Sequence, residues 1–351
     1  CILSRGLGDV YKRQTGTNGK TTVGWMVEAI ARSAGAAAGR IGTIDAAWTD
    51  VVRPAVRTTP EAPELYALLD EMRDAGTRLV AMEVSSHALE LGRVGGMQFS
   101  VAAFLNLGRD HLDFHGDEQR YFDAKARLFE RLGPDDHAVV PDDDRGRALA
   151  ARSRATFTTF GRGRNADLRI TDESCDGTGG TATLIHDGAR IPVRTRLLGR
   201  FQLDNAAAAA GCAIAAGLPP EAITAGLEAL ERVPGRTDPV SAGQPFGVWI
   251  DYAHTEEALA AVLAAARELT TGRVLVAFGC GGDRDRGKRA PMGACAARIA
   301  DVVVLTSDNP RTEDPRAILD EIESGARGAA GQGTTLRLEP DRGVAIHELL
   351  A

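Results

Sequence analysis

The chain has no means of stapling itself together. Its five cysteines (Cys1, Cys175, Cys212, Cys280 and Cys295) are odd in number, show no C-x-x-C spacing and are scattered over 351 residues. That excludes a disulfide scaffold and fits a reducing cytoplasm. A bilayer span is missing as well. The longest apolar stretch, residues 205–218, is mostly alanine and only 14 residues long, where a spanning helix needs about 20. The opening residues, CILSRGLGDVYKRQ, lack the apolar run of a signal peptide. There is no excess of basic charge either. The formal net charge of -7 argues against bulk attraction to nucleic acid or acidic membranes, while leaving room for local basic clusters that hold small anions. No internal repeat occurs, and the alanine run is the sole low-complexity tract.

What is present suffices for two domains, since 44% of the residues are hydrophobic and each half can bury a core. Residues 22–34 read as a helix, 79–84 and 101–105 as apolar strands, and 118–132 as a helix with Tyr121, Phe122, Leu128 and Phe129 at helical spacing. Short strands follow at 137–140 and 155–160. Strands alternating with helices predict a mainly parallel sheet. Between 166 and 193 the pattern changes to short alternating segments around a Gly-rich turn, which predicts a small antiparallel patch. Helices are expected at 205–216 and 219–230. Val233-Pro234-Gly235-Arg236 reads as a linker. A second βα series follows, with strands at 248–251, 274–278 and 302–306 and helices at 255–269 and 289–299. The expected class is therefore α/β: a P-loop-type, mainly parallel ATPase domain over 15–232, then a Rossmann-like α/β domain over 233–351.

The phosphate loop itself is Thr15-Gly16-Thr17-Asn18-Gly19-Lys20-Thr21-Thr22. Its glycines let backbone N–H groups approach phosphate oxygens, Lys20 neutralises β/γ charge, Thr21 can ligand Mg²⁺, and the helix start adds its dipole. The strict pattern wants glycine where Gln14 stands. The bland alternative is a Gly-containing turn before a helix. A buried strand should precede such a loop, yet residues 9–14 read as too polar for one. The first 14 residues are therefore expected to be foreign to the fold, with the natural protein beginning earlier.

Glu83 ends one apolar strand and His111 follows another. Open α/β sheets collect their ligands just past such strand ends. Mg²⁺ prefers oxygen, so Glu83 is the more natural ligand. By itself His111 reads as a helix cap or a loop residue, and His115 and His137 read as structural.

Taken together the motifs resemble one family. TGTNGKTT, Thr58-Thr59-Pro60-Glu61, MEVSSHAL, NLGRDHLDFHG and DAKARLF occur in the order and spacing of the Mur ligases. Asp251-Tyr252-Ala253-His254, GCGGDRDRGKR and SDNPRTEDP narrow the resemblance to the branch that adds the third residue of the peptidoglycan stem peptide. The resemblance runs from Thr15 to the end of the chain. It implies that ATP phosphorylates the D-Glu side-chain carboxylate of a UDP-MurNAc-dipeptide and that an amine then attacks the acyl phosphate. Gathering several anionic oxygens requires metal and fixed cations.

By the same resemblance, Gly16, Thr17, Asn18, Gly19, Lys20, Thr21 and Thr22 hold the phosphates. Thr21 and Glu83 take Mg²⁺ and His111 a second Mg²⁺. Lys125 matches the lysine that the family carbamylates, which turns a cation into a metal-bridging carboxylate; as a plain helix residue it would be a solvated lysine. Asn205, Arg236, Asp251 and His254 are implied as nucleotide contacts. Thr58, Thr59, Ser85 and Arg93 meet the UDP-MurNAc-dipeptide, although Thr58-Thr59 also reads as a cap before Pro60 and Ser85 as a turn residue. Arg284, Asp308, Asn309, Pro310 and Arg311 are implied for meso-diaminopimelate, whose distal carboxylate suits a guanidinium; residues 308–310 also read as a turn. A lysine substrate would set its ammonium against Arg311. Leu91, Gly108 and Gln202 depart from the family pattern.

The implied protein is a cytoplasmic monomer that binds neither nucleic acid nor membrane. The family's uridine-gripping N-terminal domain and its extreme C-terminus are absent, so this chain alone is expected to bind ATP weakly and ligate poorly. The competing readings are a sister ligase (lysine-adding, another Mur ligase or a folylpolyglutamate synthetase), a non-catalytic nucleotide-binding fragment, and a P-loop NTPase that moves partners.

Overall fold

The structure is a computed structural model that describes residues 10–351. It opens with β1 (Val10–Thr15), α1 (Lys20–Ser33), β2 (Ala38–Ile41), β3 (Asp45–Trp48), β4 (Val51–Pro54), α2 (Ala62–Asp74), β5 (Leu79–Glu83), α3 (Ser86–Glu90) and β6 (Val101–Phe104). Then come α4 (Leu112–His115), α5 (Glu118–Glu130), β7 (His137–Pro141), α6 (Asp144–Ala151), β8 (Thr156–Gly161), β9 (Leu168–Asp176), β10 (Gly179–His186), β11 (Ala189–Thr195), α7 (Phe201–Ala215) and α8 (Pro220–Ala229). The rest comprises β12 (Asp238–Pro239), β13 (Trp249–Ile250), α9 (Glu256–Glu268), β14 (Leu275–Phe278), α10 (Arg289–Ile299), β15 (Val302–Leu305), α11 (Pro315–Ala329), β16 (Thr335–Leu338) and α12 (Arg342–Leu350).

The chain divides into two compact units. One holds the described residues through Leu107 together with Gln119–Ile250; the other holds Gly108–Glu118 and Asp251–Ala351. In the first, eleven strands form one sheet in the order β11-β10-β9-β8-β7-β6-β1-β5-β2-β3-β4. Its centre is parallel, from β2 through β9. The antiparallel wing β9-β10-β11 lies where the alternating pattern placed it. A second antiparallel wing, β2-β3-β4, has no counterpart in the sequence reading. Its four-residue strands are broken by Arg40, Asp45 and Arg53, so they show neither an apolar run nor a period.

The polar run before the phosphate loop is a strand after all. Val10–Thr15 pairs in parallel with β5 on one side and β6 on the other. Ladder hydrogen bonds come from the backbone, so a polar sequence can occupy a central strand when both neighbours are in register. The expectation that residues 1–14 are foreign to the fold falls, for residues 1–9, outside the described residues.

Strand periodicity sorts the core into two layers. Val80, Met82, Ala102 and Phe104 join the apolar cluster that includes Leu65, Met72 and Phe129. Ala81, Val101 and Ala103 join the cluster that includes Val23, Ile30 and Leu203. Helix α7 is buried on nearly every side because its alanines are small enough for close approach. Among the described residues no helix is long and apolar enough to cross a membrane.

The second unit is built on the parallel sheet β14-β15-β16, whose Phe278, Val303 and Leu305 pack with Leu259, Met292, Ile318 and Ile322. The stretch 248–251, read as the first strand of this series, behaves otherwise. Trp249–Ile250 pairs antiparallel with Asp238–Pro239 in the first unit. The connection between them is too short for the crossover that a parallel pair requires. The Arg289 guanidinium is buried and clamps Glu313 through two bonds, at 2.7 and 2.9 Å, and Glu321 at 3.0 Å. The bonds from Arg289 hold the Glu313 carboxyl down at about 2, so its charge survives well into acid.

Candidate active site

The site begins at the end of β1. Gly19 caps α1 in the left-handed region at φ 86, which an L side chain adopts at a cost of roughly 1–2 kcal/mol. A Cβ there would also lie 2.4 Å from the Asn205 Oδ1. Gly19→Ala is therefore expected to strain the loop and displace Asn205 together. The check is a drop of several degrees in melting temperature with a parallel loss of ATP affinity by titration calorimetry.

The loop is anchored by a residue that the sequence reading left without a role. Asn106, just past β6, accepts from Asn18 N through Oδ1 at 2.9 Å and donates through Nδ2 to Asn18 O at 3.1 Å. Its carbonyl accepts from Thr17 N at 3.1 Å. Lys20 Nζ donates to Gly16 O at 2.8 Å and to Thr17 O at 3.1 Å. Arg236 Nη2 donates to Thr21 Oγ1 at 2.9 Å. Thr22 is buried in the first turn of α1.

Lys125 is no solvated helix lysine. It is 1% exposed, its Nζ lies 4.3 Å from the Tyr121 ring centroid, and it donates to Gly16 O at 3.1 Å. The Tyr121 hydroxyl lies 3.1 Å from Thr17 Oγ1. Helical spacing had placed Tyr121 in the core; its hydroxyl reaches the loop because an amphipathic ring can be buried with its polar tip directed elsewhere.

Glu83, at the end of β5, is 3% exposed. Its carboxylate accepts from Thr43 N at 2.8 Å and from Thr43 Oγ1 at 3.0 Å. Thr43 Oγ1 lies 3.1 Å from Thr58 Oγ1. Gly42 admits this approach, since a Cβ there would fall 2.2 Å from Glu83 Oε1. Thr59 Oγ1 donates to Glu83 O at 2.9 Å and accepts from Ser85 N at 3.1 Å. Ser85 caps α3 by accepting from Ala88 N. Arg93 donates to Thr59 O at 3.3 Å and pairs with Glu61 at 2.8 Å. The four residues read as substrate contacts are thus gathered around Glu83, none of them capping α2, whose cap position is Glu61.

Among the described residues no three His, Cys, Asp or Glu side chains gather to hold a metal by themselves. Mg²⁺ beside a triphosphate needs no such cage, because phosphates and water fill most of its octahedron. Thr21 and Glu83 line one pocket, together with Arg40, Asp45 and Trp25. A hydroxyl and a buried carboxylate are a donor set that suits Mg²⁺.

His111 belongs to the second unit. It takes the cap position of α4 at φ 56 without a side-chain cap bond, and its Nε2 lies 3.3 Å from Asp110 Oδ2. Asp110 is buried and also receives His254 Nε2 at 3.2 Å and Lys288 Nζ at 3.4 Å. Burial pulls the Asp110 carboxyl up, but the bond from His254 and the charges of His111 and Lys288 outweigh it and hold the carboxyl far below its usual range. A folded-state value below the unfolded one means stability that is present above about pH 4 and lost as pH falls. Asp110→Ala is therefore expected to cost on the order of 3 kcal/mol at pH 7 and progressively less below pH 4, read from urea midpoints by circular dichroism.

Elsewhere in the second unit, Asp251 Oδ1 accepts from Ala253 N at 2.7 Å. The loop that carries Arg284 meets the one spanning 308–311. Gly282 N donates to Asn309 O at 2.8 Å, Arg311 donates to Gly282 O, and Asp283 accepts from Thr312. Glu313 N donates to Pro310 O at 3.0 Å, so the turn spans 310–313 and residues 308–310, expected as the turn, are irregular chain leading into it. Asp308 accepts from Arg342 at 2.7 Å, and Arg284 donates to Asp283 O at 2.8 Å. Burial pushes the Cys280 thiol up to about 11, and Cys175, Cys212, Cys280 and Cys295 are all free thiols.

A phosphate loop on the central strand of a parallel sheet, followed by a second α/β unit, defines a nucleotide-dependent two-domain enzyme class. The family model described as the Mur ligase middle domain matches residues 15–213, and that described as the Mur ligase, glutamate ligase domain matches residues 235–351. The chain belongs to the Mur ligase family. It is 44% identical over 339 residues to the UDP-N-acetylmuramoyl-L-alanyl-D-glutamate--2,6-diaminopimelate ligase of Solibacter usitatus, which covers 96% of this chain and 68% of that protein. It is 47% identical over 322 residues to the ligase of the same name from Geobacter metallireducens, covering 89% of this chain and 63% of the relative. A solved structure of a ligase of that name superposes with a TM-score of 0.68 at 33% identity, over 96% of this chain and 69% of the other. The chain thus spans about two thirds of the length of these relatives.

Proposed function

We propose that this chain is the catalytic part of an ATP-dependent amide ligase that adds meso-diaminopimelate to UDP-MurNAc-L-Ala-D-Glu through an acyl phosphate, in the cytoplasm and as a monomer. The observation that carries the reading is the convergence on the phosphate loop. Lys20 and the buried Lys125 both reach Gly16 O, and Thr21 and Glu83 line one pocket.

In this reading residues 15–232 bind ATP and 233–351 bind the amino acid. Gly16 and Gly19 present backbone N–H groups to phosphate, with Asn18 held in the loop by Asn106, while Lys20 sets a charge against the γ-phosphoryl group. Thr21 and Glu83 hold Mg²⁺ and His111 a second Mg²⁺, with Lys125 a further metal ligand once carbamylated. The bound metal neutralises charge as phosphate and carboxylate oxygens approach. Thr58, Thr59, Ser85 and Arg93 hold the dipeptide substrate so that its D-Glu carboxylate meets the γ-phosphoryl group. Arg236, Asn205, Asp251 and His254 serve the nucleotide. Arg284 and residues 308–311 orient the incoming amino acid.

The test is positional isotope exchange in ATP with the dipeptide present and no amino acid. Exchange is expected, because reversible acyl-phosphate formation scrambles the bridging oxygen. Its absence in a version extended to the relatives' full length would favour a nucleotide-binding module without this chemistry.

A further inference from the structure

We propose that Thr43 is a positioning residue that aims the Glu83 carboxylate at the metal and joins it to the dipeptide site. The inference rests on the reading of Glu83 as a metal ligand. Glu83 is buried at the end of β5, where a carboxylate needs hydrogen-bond donors to hold it in one orientation. One residue grips both its oxygens, Thr43 N on Oε1 at 2.8 Å and Thr43 Oγ1 on Oε2 at 3.0 Å. Gly42 leaves the space for this two-point grip.

The direction of the bonds follows from chemistry. A carboxylate only accepts, so the single hydroxyl proton of Thr43 is committed to Glu83. Thr58, 3.1 Å from Thr43 Oγ1, must then donate to it. A one-way chain of donors runs from Thr58 through Thr43 to Glu83, linking a residue assigned to the dipeptide with a residue assigned to the metal. Nothing else in the loop of residues 42–44 performs this task. Partners of this kind around metal-binding carboxylates fix orientation, and losing one costs about 10–100-fold in metal affinity or activity.

The experiment measures ATP affinity by titration calorimetry, in a version extended to the relatives' full length, as Mg²⁺ is raised, for the wild type, Thr43→Val, Thr43→Ser and Glu83→Gln. Melting temperatures recorded alongside identify any variant that has lost its fold. Valine keeps the shape and removes the hydroxyl; serine keeps the hydroxyl. The valine variant is expected to need about 10–100-fold more Mg²⁺ for half its effect, with serine close to wild type and Glu83→Gln at least as impaired as valine. A valine variant with wild-type Mg²⁺ dependence beside an impaired Glu83→Gln overturns the role of Thr43 and leaves Glu83 standing. Serine as impaired as valine overturns it too, because a hydroxyl at position 43 would then not suffice to hold Glu83. If Glu83→Gln matches wild type, or the wild type shows no Mg²⁺-dependent ATP binding, the metal reading and this inference fall together.

Discussion

Lys125→Ala is expected to lower the rate of amide formation by about 10²–10³-fold, the usual consequence of removing one preorganised electrostatic group from the reacting centre. The expectation comes from its position. Lys125 is buried against Tyr121 with its Nζ on the carbonyl of Gly16, so truncation opens a gap beside the phosphate loop rather than on a solvated face. The loss should fall on kcat, with the apparent affinity for the dipeptide nearly unchanged, because Thr58, Thr59, Ser85 and Arg93 are held by their own bonds around Glu83. The carbamate reading adds a sharper expectation. A small carboxylate such as acetate could occupy the gap and restore part of the rate in the alanine variant. Lys125→Arg, which keeps a cation that cannot be carbamylated, should not recover activity. Full activity in the arginine variant would remove the carbamate from the account while leaving Lys125 near the phosphates.

Arg311→Ala is expected to cost about 10–100-fold in kcat/KM for meso-diaminopimelate, the scale of losing a hydrogen bond to a charged group. It should affect L-lysine far less. Arg311 is held at φ 50 with one nitrogen donating to Gly282 O. That bond fixes the plane of the guanidinium, and a planar fork of fixed orientation suits a carboxylate. The distal end of diaminopimelate carries that carboxylate and the distal end of lysine does not. Competition between the two amino acids, read as the ratio of products in wild type and variant, checks the assignment. A ratio that does not move would transfer the discrimination to another residue, with Arg284 the first to examine.

The legibility of this chain in sequence was uneven for physical reasons. The long helices and apolar strands were clear because burial on one or both faces writes a period into them: β5, β6, α5, α9 and α10 lie close to where that period placed them. The β2-β3-β4 wing was invisible because its four-residue strands are broken by Arg40, Asp45 and Arg53, so they show neither the apolar run of β6 nor a period. The central strand β1 was misread because its sequence is polar, whereas its place is set by backbone pairing on two sides. Among the candidate residues, those with obvious chemistry, Lys20, Thr21, Glu83 and His111, could be named from the sequence alone. Those that hold the others in place could not. Asn106 and Thr43 act by hydrogen bonds across 88 and 40 residues of chain, a separation that no local pattern reports. Asp110 stood in a quoted motif beside His111, but its meeting with His254 and Lys288 depends on the fold.

The central claim is that phosphate is cleaved here to activate a carboxylate for a particular amine. Its most direct test is phosphate release from ATP in the presence of UDP-MurNAc-L-Ala-D-Glu, screened across amino acids in a version extended to the relatives' full length. The account predicts release that depends on both partners and is fastest with meso-diaminopimelate, slow with L-lysine and negligible with glutamate. Release that ignores the amino acid, or that is fastest with lysine or glutamate, would contradict it.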